Sequence, residues 1–321
     1  MRKIVVVGLG NVGFTYVNVC VSRGIQAEWI FVDKNEALAE AQAHDFEDMV
    51  SIMPRNNSTF RKGTLADAKG ADIVMIAASI PAKVLSDRLA LAAENSKLMK
   101  SFAEQLKASG FKGTVIIPAN PCDVMAAAFT YAGGYPAKKV ISAGTVLDSA
   151  RFRKFIAKRA NVSPDSVQGY ILGEHGASAM AVWSQVKIGD AKVGQLIEKE
   201  ILKKSELPQI LKDTIAEGFY IYSRKGNTCF GIGTSCYEIT SAVLENKRTV
   251  MTIGVKLPAG YKNAGIYTSI PVIVGEDGYE YLPTKPEMSA EEWEQFEAST
   301  SALAKIHEDV LRSIGIDKKF H

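Results

Sequence analysis

Lys3-Ile4-Val5-Val6-Val7-Gly8-Leu9-Gly10-Asn11-Val12-Gly13 is the stretch that decides the fold of this chain. The apolar run Lys3–Val7 reads as a buried β-strand, and Asn11 to Arg23 reads as the helix that follows it. The glycines between them fall in the spacing of a loop that cradles a pyrophosphate. Gly8 permits the tight turn, Gly10 lets a phosphate approach the backbone, and Gly13 lets helix and strand pack closely. The segment from Gly8 to Gly13, Asn11 and Val12 included, then presents a helix N-terminus to the anion. A glycine triplet alone is weak evidence, but this one lies between a strand and a helix. Glu28 to Val32 reads as the next strand and ends at Asp33, about 20 residues beyond Gly13, where an acid would accept the adenosine ribose hydroxyls. Its charge would repel a 2′-phosphate, so the sequence points to NAD over NADP. The loop by itself also fits a flavin or another nucleotide.

The same alternation continues outward. Asn35 to Met53 is helical, Asp72 to Ala77 is a strand, and a loop runs from Ala78 to about Ser86. A long helix then stops near Gly110, and strands are expected over Thr114–Ile117 and Lys139–Ser142. Strands alternating with helices imply an α/β doubly wound parallel sheet of the Rossmann type. The rhythm changes near Ala143. Beyond it the sequence predicts a helix (148–160), short strands (167–172 and 181–186), two helices (207–224 and 228–244), a strand pair (250–256 and 266–274) and an amphipathic helix from Ser289 to about Ser313. The expected organisation is therefore a dinucleotide-binding domain over 1–143 and an α+β substrate domain over 144–321.

Composition narrows the partners. A net charge of +3 among 38 basic and 35 acidic residues is too small for a nucleic-acid surface. No apolar run reaches the roughly 18 residues of a membrane span. The short N-terminal apolar stretch runs straight into the glycine loop, with no small-residue cleavage site before it, unlike a signal peptide. Cys20, Cys122, Cys229 and Cys236 are scattered and form no CxxC pair, which fits reduced packing thiols in a cytoplasmic protein. The four histidines have no zinc spacing, so no metal is expected.

Chemistry concentrates in Leu147-Asp148-Ser149-Ala150-Arg151 and Gly173-Glu174-His175-Gly176. Asp148 and Arg151 are three apart and share a helix face. A carboxylate there can hold an imidazole by one ring nitrogen and favour its protonated form. A guanidinium can grip a substrate carboxylate through two parallel bonds. Taken singly, each is more simply a helix-surface ion pair or a core histidine. Together, beside a dinucleotide loop, they point to proton transfer on a small acid.

Gly8–Gly13, Asp33, Asn120-Pro121-Cys122-Asp123-Val124, Leu147–Arg153 and Gly173–Gly176 resemble the L-lactate dehydrogenase family, which includes malate and L-2-hydroxyisocaproate dehydrogenases. The resemblance runs from residue 1 to about 315. It implies an NAD-dependent L-2-hydroxy acid dehydrogenase in which His175 donates and accepts the proton, Asp148 orients it and Arg151 binds the substrate carboxylate. It also implies that Arg88 polarises the reacting carbonyl, that Asn120 contacts the substrate oxygen and the nicotinamide region, and that Thr228 lines the substrate pocket. The expected partners are a 2-oxo or 2-hydroxy acid and further copies of the chain, in a homotetramer ahead of a dimer, with no nucleic acid or membrane.

Two positions bear on the substrate. Six residues before the family's loop arginine, glutamine goes with lactate and arginine with malate; here Ala82 offers no donor for a second carboxylate. Gly218, ten before Thr228, costs about 1 kcal/mol within a helix. It either leaves room for a longer substrate side chain, as in the hydroxyisocaproate enzymes, or serves a close helix contact. Together these features point to 2-oxo acids with medium aliphatic side chains, with pyruvate as the alternative. Arg153 resembles a residue of the bacterial lactate dehydrogenases activated by fructose bisphosphate, but Gln168 stands where their partner histidine falls, which argues against that activation. Competing readings are a malate dehydrogenase, against which Ala82 argues, an NAD-dependent glycoside hydrolase, which would need a metal, and a non-catalytic NAD-binding regulator, which would not need the intact polar set.

Overall fold

The computed structural model describes residues 1–80 and 88–321. Six strands run parallel: β1 (Arg2–Val7), β2 (Ala27–Val32), β3 (Thr59–Lys62), β4 (Ile73–Ile76), β5 (Thr114–Ile117) and β6 (Val140–Ser142). Their spatial order is β6-β5-β4-β1-β2-β3, so the winding direction reverses between β1 and β4. In such sheets the crevice at the carboxyl ends of the strands, at that reversal, is where ligands sit. The central strands are apolar on both faces. Ile4, Val5, Val6, Ile73, Val74, Met75 and Ile76 are all fully buried, as strands covered by helices on each side must be.

The connecting helices are α1 (Asn11–Ser22), α2 (Glu36–Ile52), α3 (Arg88–Ser109) and α4 (Cys122–Gly133). α2 begins where Asn35 caps the Leu38 N–H through its side chain, at 3.2 Å. Beyond Ala143 come α5 (Val146–Ala160), the short strands β7 (Val167–Gln168), β8 (Ile171–Leu172), β9 (Met180–Ala181), β10 (Lys187–Ile188) and β11 (Ala191–Lys192), then α6 (Val193–Glu198), α7 (Leu207–Lys225) and α8 (Phe230–Leu244). The chain closes with β12 (Thr249–Lys256), β13 (Tyr267–Gly275), β14 (Gly278–Tyr281) and α9 (Ala290–Ser313), whose N-terminus is a reciprocal Ser289–Glu292 capping box.

The doubly wound parallel sheet is the one expected, and β12, β13 and β14 extend it to nine strands with antiparallel pairing, Gly254 of β12 lying opposite Ser142 of β6. The strand pair expected inside a separate α+β unit therefore belongs to the main sheet. The expected strand over 167–172 is broken into β7 and β8 by Gly169, whose φ of +154° turns the chain. The expected strand over 181–186 shrinks to the two-residue β9 at Met180–Ala181, followed by a 3-10 turn at Trp183–Gln185. β3 and β14 add strands at the two edges of the sheet.

A second apolar cluster organises the later half. Phe152 and Ile156 of α5 are fully buried with Ile171, Val186, Leu202 and Ile210, and Phe152 meets Trp183 edge-on at 4.9 Å. Burying a side chain of this size contributes about 2–3 kcal/mol, and it fixes the rotation of α5 about its axis. Asp148, one of the polar residues of the next section, lies one turn before Phe152 on the same side of that helix, so the same packing sets its direction.

Candidate active site

The glycine loop packs tightly between β1 and α1. Gly8 has φ +92°, and a Cβ there would lie 2.5 Å from the Ala78 nitrogen beyond β4. A Cβ on Gly13 would lie 1.9 Å from the Gly8 oxygen, so only glycine lets α1 approach β1. A Cβ on Gly10 would meet nothing within 4 Å, which leaves open space above the first turn of α1. Among the described residues no side chain caps that helix, and the N–H groups of its first turn have no partner within it. Open space over unpaired amides fits a pyrophosphate.

Asp33 follows β2 directly. One carboxylate oxygen accepts the Leu9 N–H at 2.8 Å and the other accepts the Asn35 N–H at 2.9 Å. These bonds fix the carboxylate beside the loop and leave lone pairs on both oxygens for a ribose diol. The residues present therefore fit a dinucleotide with a free 2′-hydroxyl.

The side chains of His175, Asp148 and Arg151 meet in one group. His175 Nδ1 and Asp148 Oδ2 are 2.5 Å apart, and Arg151 Nη1 donates to the other Asp148 oxygen at 3.3 Å. Asp148 and Arg151 are almost wholly buried, whereas the His175 ring is about 26% exposed. The Asp148 carboxylate raises His175 to about 9, against the opposing effect of burial. Burial disfavours the Asp148 charge, but the His175 and Arg151 cations outweigh it and hold its carboxyl below the usual range.

These side chains line a cavity of about 670 Å³ together with Val12, Asn120, Gly218 and Thr228. Val12 comes from the glycine loop, so the cavity joins the dinucleotide end of the molecule to the acid–base group. A Cβ on Gly233 would lie 2.8 Å from Thr15 Cγ2, and this close packing of α8 on α1 brings Thr228 to the cavity. A Cβ on Gly218 would lie 3.4 Å from Arg151 Nη1, so the missing side chain clears space over the guanidinium. Both readings of that glycine, room for a longer substrate side chain and a close helix contact, fit this distance. Ala82 and the side chain of Arg88 lie outside the described residues.

Asp123 belongs to the Asn120–Val124 motif, and the structure places it beside the site. Its buried carboxylate accepts from Ser142 Oγ at 2.7 Å and from the His175 main-chain N–H at 3.2 Å. An acid in the first turn of a helix ordinarily reads as a favourable charge at the helix dipole, and nothing local in the sequence says that it reaches another loop. Among the described residues, no group of three or more His, Cys, Asp or Glu could hold a metal ion. No helix there is long and apolar enough to cross a membrane.

The model of the lactate/malate dehydrogenase NAD binding domain matches residues 2–142, and that of the lactate/malate dehydrogenase alpha/beta C-terminal domain matches residues 145–314. The chain belongs to the lactate/malate dehydrogenase family, and its first part is an NAD-binding domain. It is 40% identical over 321 residues to an L-lactate dehydrogenase of Mycoplasmoides gallisepticum, covering 98% of this chain and 99% of the relative. It is 38% identical over 314 residues to an L-lactate dehydrogenase of Mycoplasmopsis pulmonis, again covering 98% and 99%. The ligand-bound minor L-lactate dehydrogenase of Enterococcus mundtii superimposes with a TM-score of 0.91 at 32% identity, covering 95% of this chain and 97% of that one.

Proposed function

We propose that this chain is an NAD-dependent L-2-hydroxy acid dehydrogenase of the lactate or 2-hydroxyisocaproate type. The observation that carries the reading is the hydrogen-bonded His175–Asp148–Arg151 group in one cavity with the glycine loop's Val12. The bound dinucleotide supplies the hydride. Arg151 binds the carboxylate of the 2-oxo acid, and its bond to Asp148 keeps the guanidinium aimed into the cavity. His175, charged at neutral pH because of Asp148, hydrogen-bonds the keto oxygen through Nε2 and gives it a proton as negative charge develops there. In the reverse direction the neutral ring takes the proton from the hydroxyl. Asn120 and Thr228 flank the substrate, and Arg88 polarises the carbonyl.

The open space at Gly218 and the uncharged Ala82 favour aliphatic side chains over a second carboxylate, whose desolvation would find no partner. We place the chain in the cytoplasm as a homo-oligomer, a tetramer ahead of a dimer, with the substrate part running over 144–321. The deciding experiment is NADH oxidation with pyruvate, 2-oxo-4-methylpentanoate and oxaloacetate. Pyruvate and the branched acid should turn over with oxaloacetate far behind, and His175→Ala should lose roughly 10²- to 10⁴-fold in rate while still binding NADH. A preference for oxaloacetate, or a His175→Ala variant within a few-fold of the parent, refutes the reading.

A further inference from the structure

We propose that Asp123 is a positioning residue for this reaction: its buried carboxylate grips the main chain of His175 and, with Asp148, supplies a second negative charge that holds the proton on the ring. The proposal rests on the functional reading above.

Three successive N–H groups fix the loop that carries His175, each through a different element. Gly173 bonds the Ser269 carbonyl of β13 at 3.1 Å, Glu174 bonds Ser299 Oγ of α9 at 3.1 Å, and His175 bonds Asp123 Oδ2 of α4 at 3.2 Å. Of these acceptors only the last carries a charge. Asp123 does not cap its own helix: its other oxygen takes the Ser142 hydroxyl, whose own oxygen accepts the Gly144 N–H at 3.1 Å. The space for this carboxylate depends on a glycine in the neighbouring strand. A Cβ on Gly254 of β12 would lie 2.2 Å from Asp123 Oδ1. Four elements thus shape a closed seat for one carboxylate, and the main chain of the acid–base histidine forms part of its wall.

The charges around the seat agree. His175 faces Asp148 and Arg151 of α5 and Asp123 of α4, and the Asp123 charge is among the influences that raise it. Asp123 in turn faces His175 and the Glu174 carboxylate on the loop, the buried thiol of Cys122, whose proton affinity burial pushes up, and the buried His307 ring of α9, held neutral by burial. Burial raises Asp123 to about 6, with the Ser142 and His175 bonds and the His175 charge pulling the other way. At neutral pH it is therefore mainly ionised. Both oxygens of this buried carboxylate accept hydrogen bonds, whereas an amide in its place would offer a single acceptor and no charge.

The test is Asp123→Asn, which keeps shape and an acceptor oxygen but removes the charge. NADH binding should persist. The alkaline limb of kcat/KM for pyruvate should move to lower pH by roughly half a unit to one unit, less than expected of a direct ring partner. The limb for lactate oxidation should move the same way. Loss of activity by the same factor at every pH would reduce Asp123 to a structural part and overturn the proposal. If the variant fails to bind NADH, ¹³C-histidine NMR of the wild-type protein decides. The His175 ring signal should show its main titration step near 9 and a smaller inflection near 6 as Asp123 protonates. A single step overturns the proposal. A wild-type enzyme that turns over neither pyruvate nor 2-oxo-4-methylpentanoate refutes the functional reading instead, and the NMR titration still decides the role of Asp123.

Discussion

Replacing Asp148 with Asn gives the sharpest test of the acid–base assignment, because the structure sets both the size and the pH dependence of the effect. Asp148 is the principal cause of the raised proton affinity of His175, about 9 against an ordinary 6.5. Without that charge the ring should return towards the ordinary value. At about pH 8 a group titrating near 9 is about 90% protonated, whereas one titrating near 6.5 is about 3% protonated. The reduction of pyruvate needs the protonated ring, so kcat/KM should fall about 30-fold at about pH 8 from protonation alone. At about pH 6 both rings are largely protonated, and the same factor shrinks to less than 2-fold. Loss of the 3.3 Å bond to Arg151 adds a penalty, but it acts on substrate binding and should not vary with pH. The assay is kcat/KM for pyruvate from about pH 5.5 to 9.5 in both proteins. A deficit that stays constant across that range would mean that Asp148 does not set the charge of His175.

Asp33→Ser should relax the preference for NADH over NADPH by roughly ten-fold, since it removes both the ribose acceptor and the charge facing a 2′-phosphate; an unchanged ratio of the two KM values would assign that selection elsewhere. Gly218→Val should lower kcat/KM for 2-oxo-4-methylpentanoate at least ten-fold more than for pyruvate, because added carbons meet the Arg151 guanidinium starting from a Cβ distance of 3.4 Å; equal losses would mean that the glycine serves only the helix. His307 is fully buried, its Nδ1 lies 2.9 Å from the Leu303 carbonyl and its Nε2 accepts the Tyr267 N–H, and burial lowers it to about 4 from 6.5. The unfolded chain then takes up this proton first, so stability present above about pH 6.5 should drain away as pH falls towards 4, by up to about 3 kcal/mol. Thermal melts of the wild type should show that slope, and His307→Asn should flatten it; parallel curves would refute the assignment.

Most of the cofactor end was legible because its signals are local. Gly8, Gly10 and Gly13 are demanded by backbone distances within a single turn, and Asp33 lies at the end of an obvious apolar strand. The acid–base group was legible only in combination, since Asp148 and Arg151 lie on one helix turn but His175 arrives from a loop that no spacing rule connects to them. The rest depended on long-range pairing. β3 reads Thr59-Phe60-Arg61-Lys62 with one buried side chain, which is how an edge strand escapes a search for apolar runs. β12 and β13 were visible as strands, but alternation says nothing about which sheet edge receives them, and the junction rests on Gly254 beside Ser142. Asp123 was hidden for the same reason: its partners, Ser142 and His175, are distant in sequence.

That junction has a consequence for anyone who would take the molecule apart. A cut at Ala143, where sequence and family models both change character, removes three strands from the sheet that the first fragment retains. The fragment would end on β6, with apolar Val140 and Ile141 on a naked edge that invites pairing with a second molecule. The later fragment would carry β12 with nothing on its inner side. Expressed separately, the halves should aggregate or find each other rather than behave as portable modules. An exchange of substrate parts between relatives therefore has to carry β6 and β12 together, crossing over upstream of Val140 instead of at the apparent boundary.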